Sequence, residues 1–176
     1  MSANADSSIQ WQGKFLRVRK VGRWEFAERV NDVQGVVVVA VTDDGKLLLT
    51  EQARPPVGKR VIELPAGLAG DLESNHGEAP SSAARRELLE ETGYDASELN
   101  LLASGPPSAG LSSEIVSFFR AAKLRRVGKG GGEGNERIDI HEVPLNECAS
   151  WLEERARQGL LIDPKVYAGL YFVVTS

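Results

Sequence analysis

The chain has 176 residues, 41% of them hydrophobic and 26% charged, with a formal net charge of −4. This composition suits one soluble globular domain long enough to build a core. The acidic balance argues against a general nucleic-acid or membrane-surface role, and no apolar run approaches the ~18 residues of a membrane span.

In chain order, the polar N-terminus MSANADSSIQ lacks a signal-peptide pattern, and residues 1–10 are predicted to be a disordered tail. Residues 14–30 alternate as two strands turning near Val21-Gly22. The run GVVVVA at 35–40 is continuous and β-branched, as in a central buried strand. Asp43-Asp44-Gly45 reads as a hairpin turn, with 46–52 pairing back as the next strand. A short strand at 60–64 leads into Pro65-Ala66-Gly67. A helix is predicted over 80–92, with Pro80 in the tolerated first turn and Gly93 as its stop.

Strands at 99–104 and 114–123 then flank the turn-rich stretch 105–113. Residues 126–135 form a glycine-rich loop before a strand at 137–143. Two helices follow, one near 146–158 and one starting at Asp163-Pro164. No repeat or linker divides the chain, so residues 11–176 read as a single α/β domain with helices on both sides of a curved mixed sheet. The single Cys148 cannot close an internal disulfide, which fits a reducing cytoplasm, and it reads as a small apolar helix residue.

The chemistry concentrates in residues 63–94. Glu87, Glu90 and Glu91 stand at i, i+3 and i+4, so at about 100° per residue they share one side of the helix. Like charges at this spacing repel, and clustered carboxylate oxygens suit hard divalent ions such as Mg²⁺, with Mn²⁺ a possible substitute. Arg86 lies about 40° from Glu90 around the helix, within reach of that carboxylate. Ala84 and Leu88 supply the apolar flank that buries the helix.

The pattern formed by Glu78, Arg86, Glu87, Leu88, Glu90, Glu91, Gly93 and Tyr94 resembles the Nudix box of Mg²⁺-dependent hydrolases that cleave nucleoside diphosphates linked to another moiety. Gly67 stands farther from Glu78 than the box usually places its glycine, which implies a five-residue insertion within residues 69–76. The flanks EQARPPVG, with Gln52 and Arg54, and ELPAG, with Glu63, are similar to the ADP-ribose pyrophosphatase branch. So are PSAGLSSE at 107–114 and the Trp24-Glu25 segment ahead of Arg29. The resemblance implies the Nudix α/β/α sandwich over about residues 10–174. It also implies N-terminal strands, residues 11–32, that cross to a partner in a homodimer.

Glu87 and Glu91, one turn apart, are assigned as the primary metal ligands, with Glu90 as a third ligand or bridge. The resemblance adds the Ala66 carbonyl as a main-chain ligand. Arg54 is a candidate phosphate clamp or a surface ion pair. Glu63 orients Arg54, touches substrate or pairs with Arg60. Trp24 stacks on the nucleobase, by analogy, or serves packing. Glu114 is a candidate for a sugar hydroxyl. The loop with glycines at 128, 130, 131, 132 and 134 reads as flexible enough to close over substrate. It carries Glu136, favoured as general base or extra metal ligand, and Glu133 as the second candidate. His76 and His141 receive no catalytic role, while Trp11 and Trp151 read as packing residues.

The expected function is hydrolysis of ADP-ribose or a related nucleoside diphosphate sugar to a nucleoside monophosphate and a sugar phosphate. A hydrolase of GDP-mannose or of nucleotide sugars broadly is the nearest alternative, and a non-catalytic nucleotide-sugar sensor is another. The sensor would be expected to have lost a metal carboxylate, whereas Glu87, Glu90 and Glu91 are all present.

Overall fold

The computed structural model describes residues 7–31, 33–70, 77–132, 134 and 136–175. Eleven strands and three α-helices make up the described chain. An N-terminal antiparallel sheet of order β1-β2-β3 contains β1 (Ser7–Gln12), β2 (Leu16–Val21) and β3 (Trp24–Arg29). Part of the tail expected over residues 1–10 is therefore a strand. Ser7 to Gln12 pairs with β2, which satisfies the backbone groups on that edge of the strand. The remainder, residues 1–6, lies outside the described residues.

β4 (Gln34–Ala40) is the buried central strand that its β-branched run predicts. It pairs antiparallel with β7 (Ala66–Ala69) and parallel with β9 (Val116–Arg126), giving a four-stranded sheet of order β7-β4-β9-β8 with β8 (Tyr94–Gly105). The hairpin expected to pair 35–40 with 46–52 turns as predicted, with Thr42 N–H donating to the Lys46 carbonyl at 2.9 Å. The two strands then part. β5 (Lys46–Arg54) joins a different sheet, of order β10-β5-β6-β11, with β6 (Lys59–Glu63), β10 (Asp139–Pro144) and β11 (Leu161–Ile162). Both edges of β4 are already occupied, so a lone bridge between Val41 and Leu47 is what remains of the hairpin ladder.

The resulting two sheets are covered on opposite sides by helices, as the α/β/α expectation requires. Along β4 the pleat sends Val36, Val38 and Ala40 into one core with Leu48 of β5 and Ala83, Ala84 and Leu88 of α1 (Pro80–Thr92). Val37 and Val39 enter a second core with Leu47, Leu49 and Ile62. Leu152 of α2 (Cys148–Arg157) and Val166 of α3 (Pro164–Thr175) close that second core. Cys148 is buried there, consistent with a packing role. Among the described residues no helix is long and apolar enough to cross a membrane.

Candidate active site

The strand crossover between the two sheets builds the site. β6 ends at Glu63 in one sheet, and after Leu64-Pro65 the chain enters the other sheet at Ala66. Pro65 stays between them, its carbonyl accepting from Val38 N–H at 2.8 Å. Glu63 and Ala66 thereby face the same space, an open cleft of about 480 Å³. Its walls include Arg54 and Glu63 from one sheet, Ala66 and Gly67 from the other, and Glu87 and Glu91 from α1. Glu114 and Glu136 border it as well.

α1 lies against β7 so closely that the Glu87 side chain fills the space a side chain at position 67 would need. A Cβ there would collide with the Glu87 carboxyl group. Glu87 therefore crosses the β7 backbone on its way to the cleft. Glu91 is 5% exposed, and its Oε2 accepts from Ala66 N–H at 3.0 Å. Burial pushes Glu91 up to about 8, with Glu87 and Glu63 adding to the rise and the Ala66 N–H opposing it. Burial likewise lifts Glu87 to about 7, with Arg86 opposing and Glu90 reinforcing.

Arg86 organises the outer side of the cluster. Its Nη1 donates to Glu87 Oε1 at 2.8 Å and to Glu90 Oε2 at 3.0 Å. Its Nε and Nη2 donate to the two oxygens of Glu78 at 3.2 and 3.1 Å, and Nη2 also reaches the Leu68 carbonyl at 3.0 Å. Burial alone would pull Arg86 down, but Glu78, Glu87 and Glu90 together raise it and keep the guanidinium charged. Glu78, the first acidic residue of the box, thus anchors the arginine.

On the facing wall Arg54 Nε donates to Glu63 Oε2 at 2.8 Å. Of the three options for Glu63, the geometry pairs it with Arg54; Arg60 instead binds Glu51 at 2.5 Å and also Asp139. Glu114 accepts from Arg29 Nε and Nη2 at 2.9 and 2.7 Å, across 85 positions of sequence.

Most of the candidate residues therefore meet in one place. Glu90 is the exception on α1, since it turns to Arg86 and does not line the cleft. Trp24, 59% exposed on β3, does not line the cleft of its own chain. Glu133, His76 and residues 71–76 of the expected insertion lie outside the described residues. Lys165 borders the cleft without having been anticipated. It reaches it from the first turn of α3, where Asp163 accepts from the Lys165 backbone N–H at 2.8 Å and also pairs with its ammonium. No sequence motif marks that residue.

The donor set fits a divalent cation. Two carboxylates one turn apart, both raised chiefly by burial, gain from a hard cation between them and the open space. Among the described residues no three acidic or imidazole side chains converge on one point, because Glu87 and Glu90 are drawn to Arg86. A magnesium-type ion accepts this, since one or two carboxylates with substrate and water oxygens complete its shell.

Residues 32–160 match the NUDIX domain family, and the chain belongs to it. It is a Nudix hydrolase, a family whose members generally use divalent metal ions. Among its relatives, the ADP-ribose pyrophosphatase of Bacillus subtilis (strain 168) is 36% identical over 135 residues, covering 76% of this chain and 70% of that one. The methanol dehydrogenase activator of Bacillus methanolicus is 34% identical over the same shares of the two chains. The ADP-ribose pyrophosphatase of Mycobacterium tuberculosis is 33% identical over 83% of this chain and 67% of its own. A crystal structure of an ADP compounds hydrolase superposes with a TM-score of 0.67 at 22% identity, covering 84% of this chain and 80% of that one, and supports the fold.

Proposed function

We propose that this Nudix hydrolase is a Mg²⁺-dependent pyrophosphohydrolase of ADP-ribose or a related nucleoside diphosphate sugar, working as a cytoplasmic homodimer. The observation that carries the reading is the single cleft walled by Glu87 and Glu91 on one side and by Arg54 on the other. A diphosphate placed there meets cation-holding carboxylates and a guanidinium at once. The kinship with ADP-ribose pyrophosphatases supports the choice of substrate. The lone buried Cys148 suits a reducing compartment.

Glu87, Glu91 and the Ala66 carbonyl would hold the cation, with Glu90 and Glu136 as further candidates. When bound, a divalent cation there neutralises diphosphate charge and acidifies water. Glu63 holds Arg54 by Nε, which leaves the two terminal guanidinium nitrogens for phosphate oxygens. Glu136, at the cleft, takes a proton from the attacking water, and Glu133 is the second candidate for that duty. The water oxygen bonds to phosphorus, the bridging P–O bond breaks, and a nucleoside monophosphate and a sugar phosphate leave. Glu114, held by Arg29 at the border of the cleft, is the candidate for a sugar hydroxyl. Trp24 would stack on the base across a dimer interface.

A phosphatase-coupled phosphate-release screen of ADP-ribose, GDP-mannose, UDP-glucose and NADH with Mg²⁺ tests this. ADP-ribose should be turned over fastest. Preference for GDP-mannose would move the substrate assignment, and absence of turnover on all four would overturn the proposed activity.

A further inference from the structure

The glycine-rich segment after β9 reads from sequence as a loop freed to move, yet its first part is docked. The last carbonyls of a helix have no partner within the helix. Here Gly131 N–H donates to the Glu91 carbonyl at 2.8 Å and Gly132 N–H to the Glu90 carbonyl at 3.1 Å. Val127 and Gly128 N–H groups both donate to the Gly93 carbonyl, at 2.9 and 3.0 Å. Ile138 N–H returns to the Gly131 carbonyl at 3.2 Å, closing the segment on itself around Glu136.

Such contact needs bare backbone. A Cβ on Gly130 would lie 2.7 Å from both the Glu91 carbonyl oxygen and the Gly93 nitrogen, and it would collide with Thr92. Gly130 also has φ +67°, which disfavours any side chain. A Cβ on Gly132 would come 2.7 Å from Glu136 Cβ. The two residues whose carbonyls are capped, Glu90 and Glu91, both carry side chains of the acidic cluster that also includes Glu87.

We propose that Gly130, Gly131 and Gly132 are positioning residues: by capping the carbonyl end of α1 they lock the segment carrying Glu136 in register with the carboxylates of that helix. The glycines are there for close approach, which ties the described ends of the segment bearing Glu136, at Gly131, Gly132 and Ile138, to the helix of the cation-holding carboxylates. The inference rests on the proposed duty of Glu136 in proton transfer.

The test compares Gly130→Ala with Gly45→Ala, since Gly45 shares a positive φ, +78°, but has open space around it. Both variants carry similar backbone strain, and Gly130→Ala alone breaks the docking. With Mg²⁺ and ADP-ribose, Gly130→Ala should lower kcat by at least about tenfold with KM little changed, as a misplaced catalytic group does, while Gly45→Ala keeps the wild-type kcat. In the unmodified protein, hydrogen exchange followed by NMR should show the Gly131 and Gly132 amides protected and the Gly134 amide fast.

Glu136→Gln separates the two layers. If it is inactive while Gly130→Ala matches Gly45→Ala, the positioning role is wrong and the base assignment stands. If Glu136→Gln retains full turnover, both are wrong. Should Gly130→Ala fail to fold, exchange in the wild type decides, and unprotected Gly131 and Gly132 amides overturn the proposal.

Discussion

The main-chain N–H of Ala66 donates to Glu91 Oε2 at 3.0 Å, so the most buried carboxylate of α1 is tied to the first residue of β7, 25 positions earlier. The bond orients one oxygen of Glu91 and leaves the other for a cation, beside a strand whose carbonyl is itself a candidate ligand. Glu91→Gln keeps the size and the hydrogen bond while removing the charge. Turnover should fall by about two orders of magnitude or more, since even the outer partners of metal ligands are worth 10–100-fold. Mg²⁺ should also raise the melting temperature less than in the wild type. Wild-type activity with an unchanged Mg²⁺ shift would discard Glu91 as a ligand.

Removing Arg86 leaves Glu78, Glu87 and Glu90 facing one another without their shared cation. Arg86→Met should destabilise the protein by about 3 kcal/mol, the low end for stranding buried charge, because the side chain is 22% exposed. Chemical denaturation measures this. A change below about 0.5 kcal/mol, typical of an ordinary surface substitution, would show that the network is ornamental to stability.

Arg54 and Glu63 separate binding from orientation. Arg54→Ala should raise KM and lower kcat/KM by about 10–100-fold, in the range of a lost charge-assisted bond worth 1.5–3 kcal/mol. Glu63→Gln keeps a hydrogen-bond acceptor for Arg54 and should cost less. Steady-state kinetics on the pair decide the matter, and equal losses would indicate that Glu63 itself touches substrate.

Acid stability should depend on Glu51. Burial raises this carboxyl, but hydrogen bonds from Arg60 and His141 outweigh it and hold the group below its usual 4.5. A depressed folded-state pKa contributes stability above the unfolded value, and that contribution disappears as pH falls through the folded one. Thermal melts from pH 7 down to pH 3 should show the wild type losing an increment that Glu51→Gln lacks throughout. Parallel acid limbs for the two proteins would contradict the assignment.

The N-terminal sheet exposes Ile9, Trp11, Phe15 and Trp24, at 53, 60, 70 and 59%. Light scattering at micromolar concentration should give a dimer, and Phe15→Ser with Trp11→Ser should shift it toward monomer. A monomeric wild type would reject dimerisation and with it the role of Trp24 on a neighbouring site.

What the amino-acid order determines by itself here is short-range and periodic. Helical spacing alone places Glu87 and Glu91 on one face, and Gly93 marks the end of that helix. The run at 35–40 announces a strand buried on both faces. The box points to the family because its positions are set by one helix and the turn that ends it.

Tertiary structure alone decides how those pieces are joined. Both edges of β4 are taken by β7 and β9, so a well-formed turn at 43–45 connects two sheets where a hairpin was expected. Arg29 meets Glu114, Lys165 reaches the cleft from α3, and the glycine segment caps α1. None of these has a local signature, because each depends on which surfaces remain unsatisfied after the cores have packed.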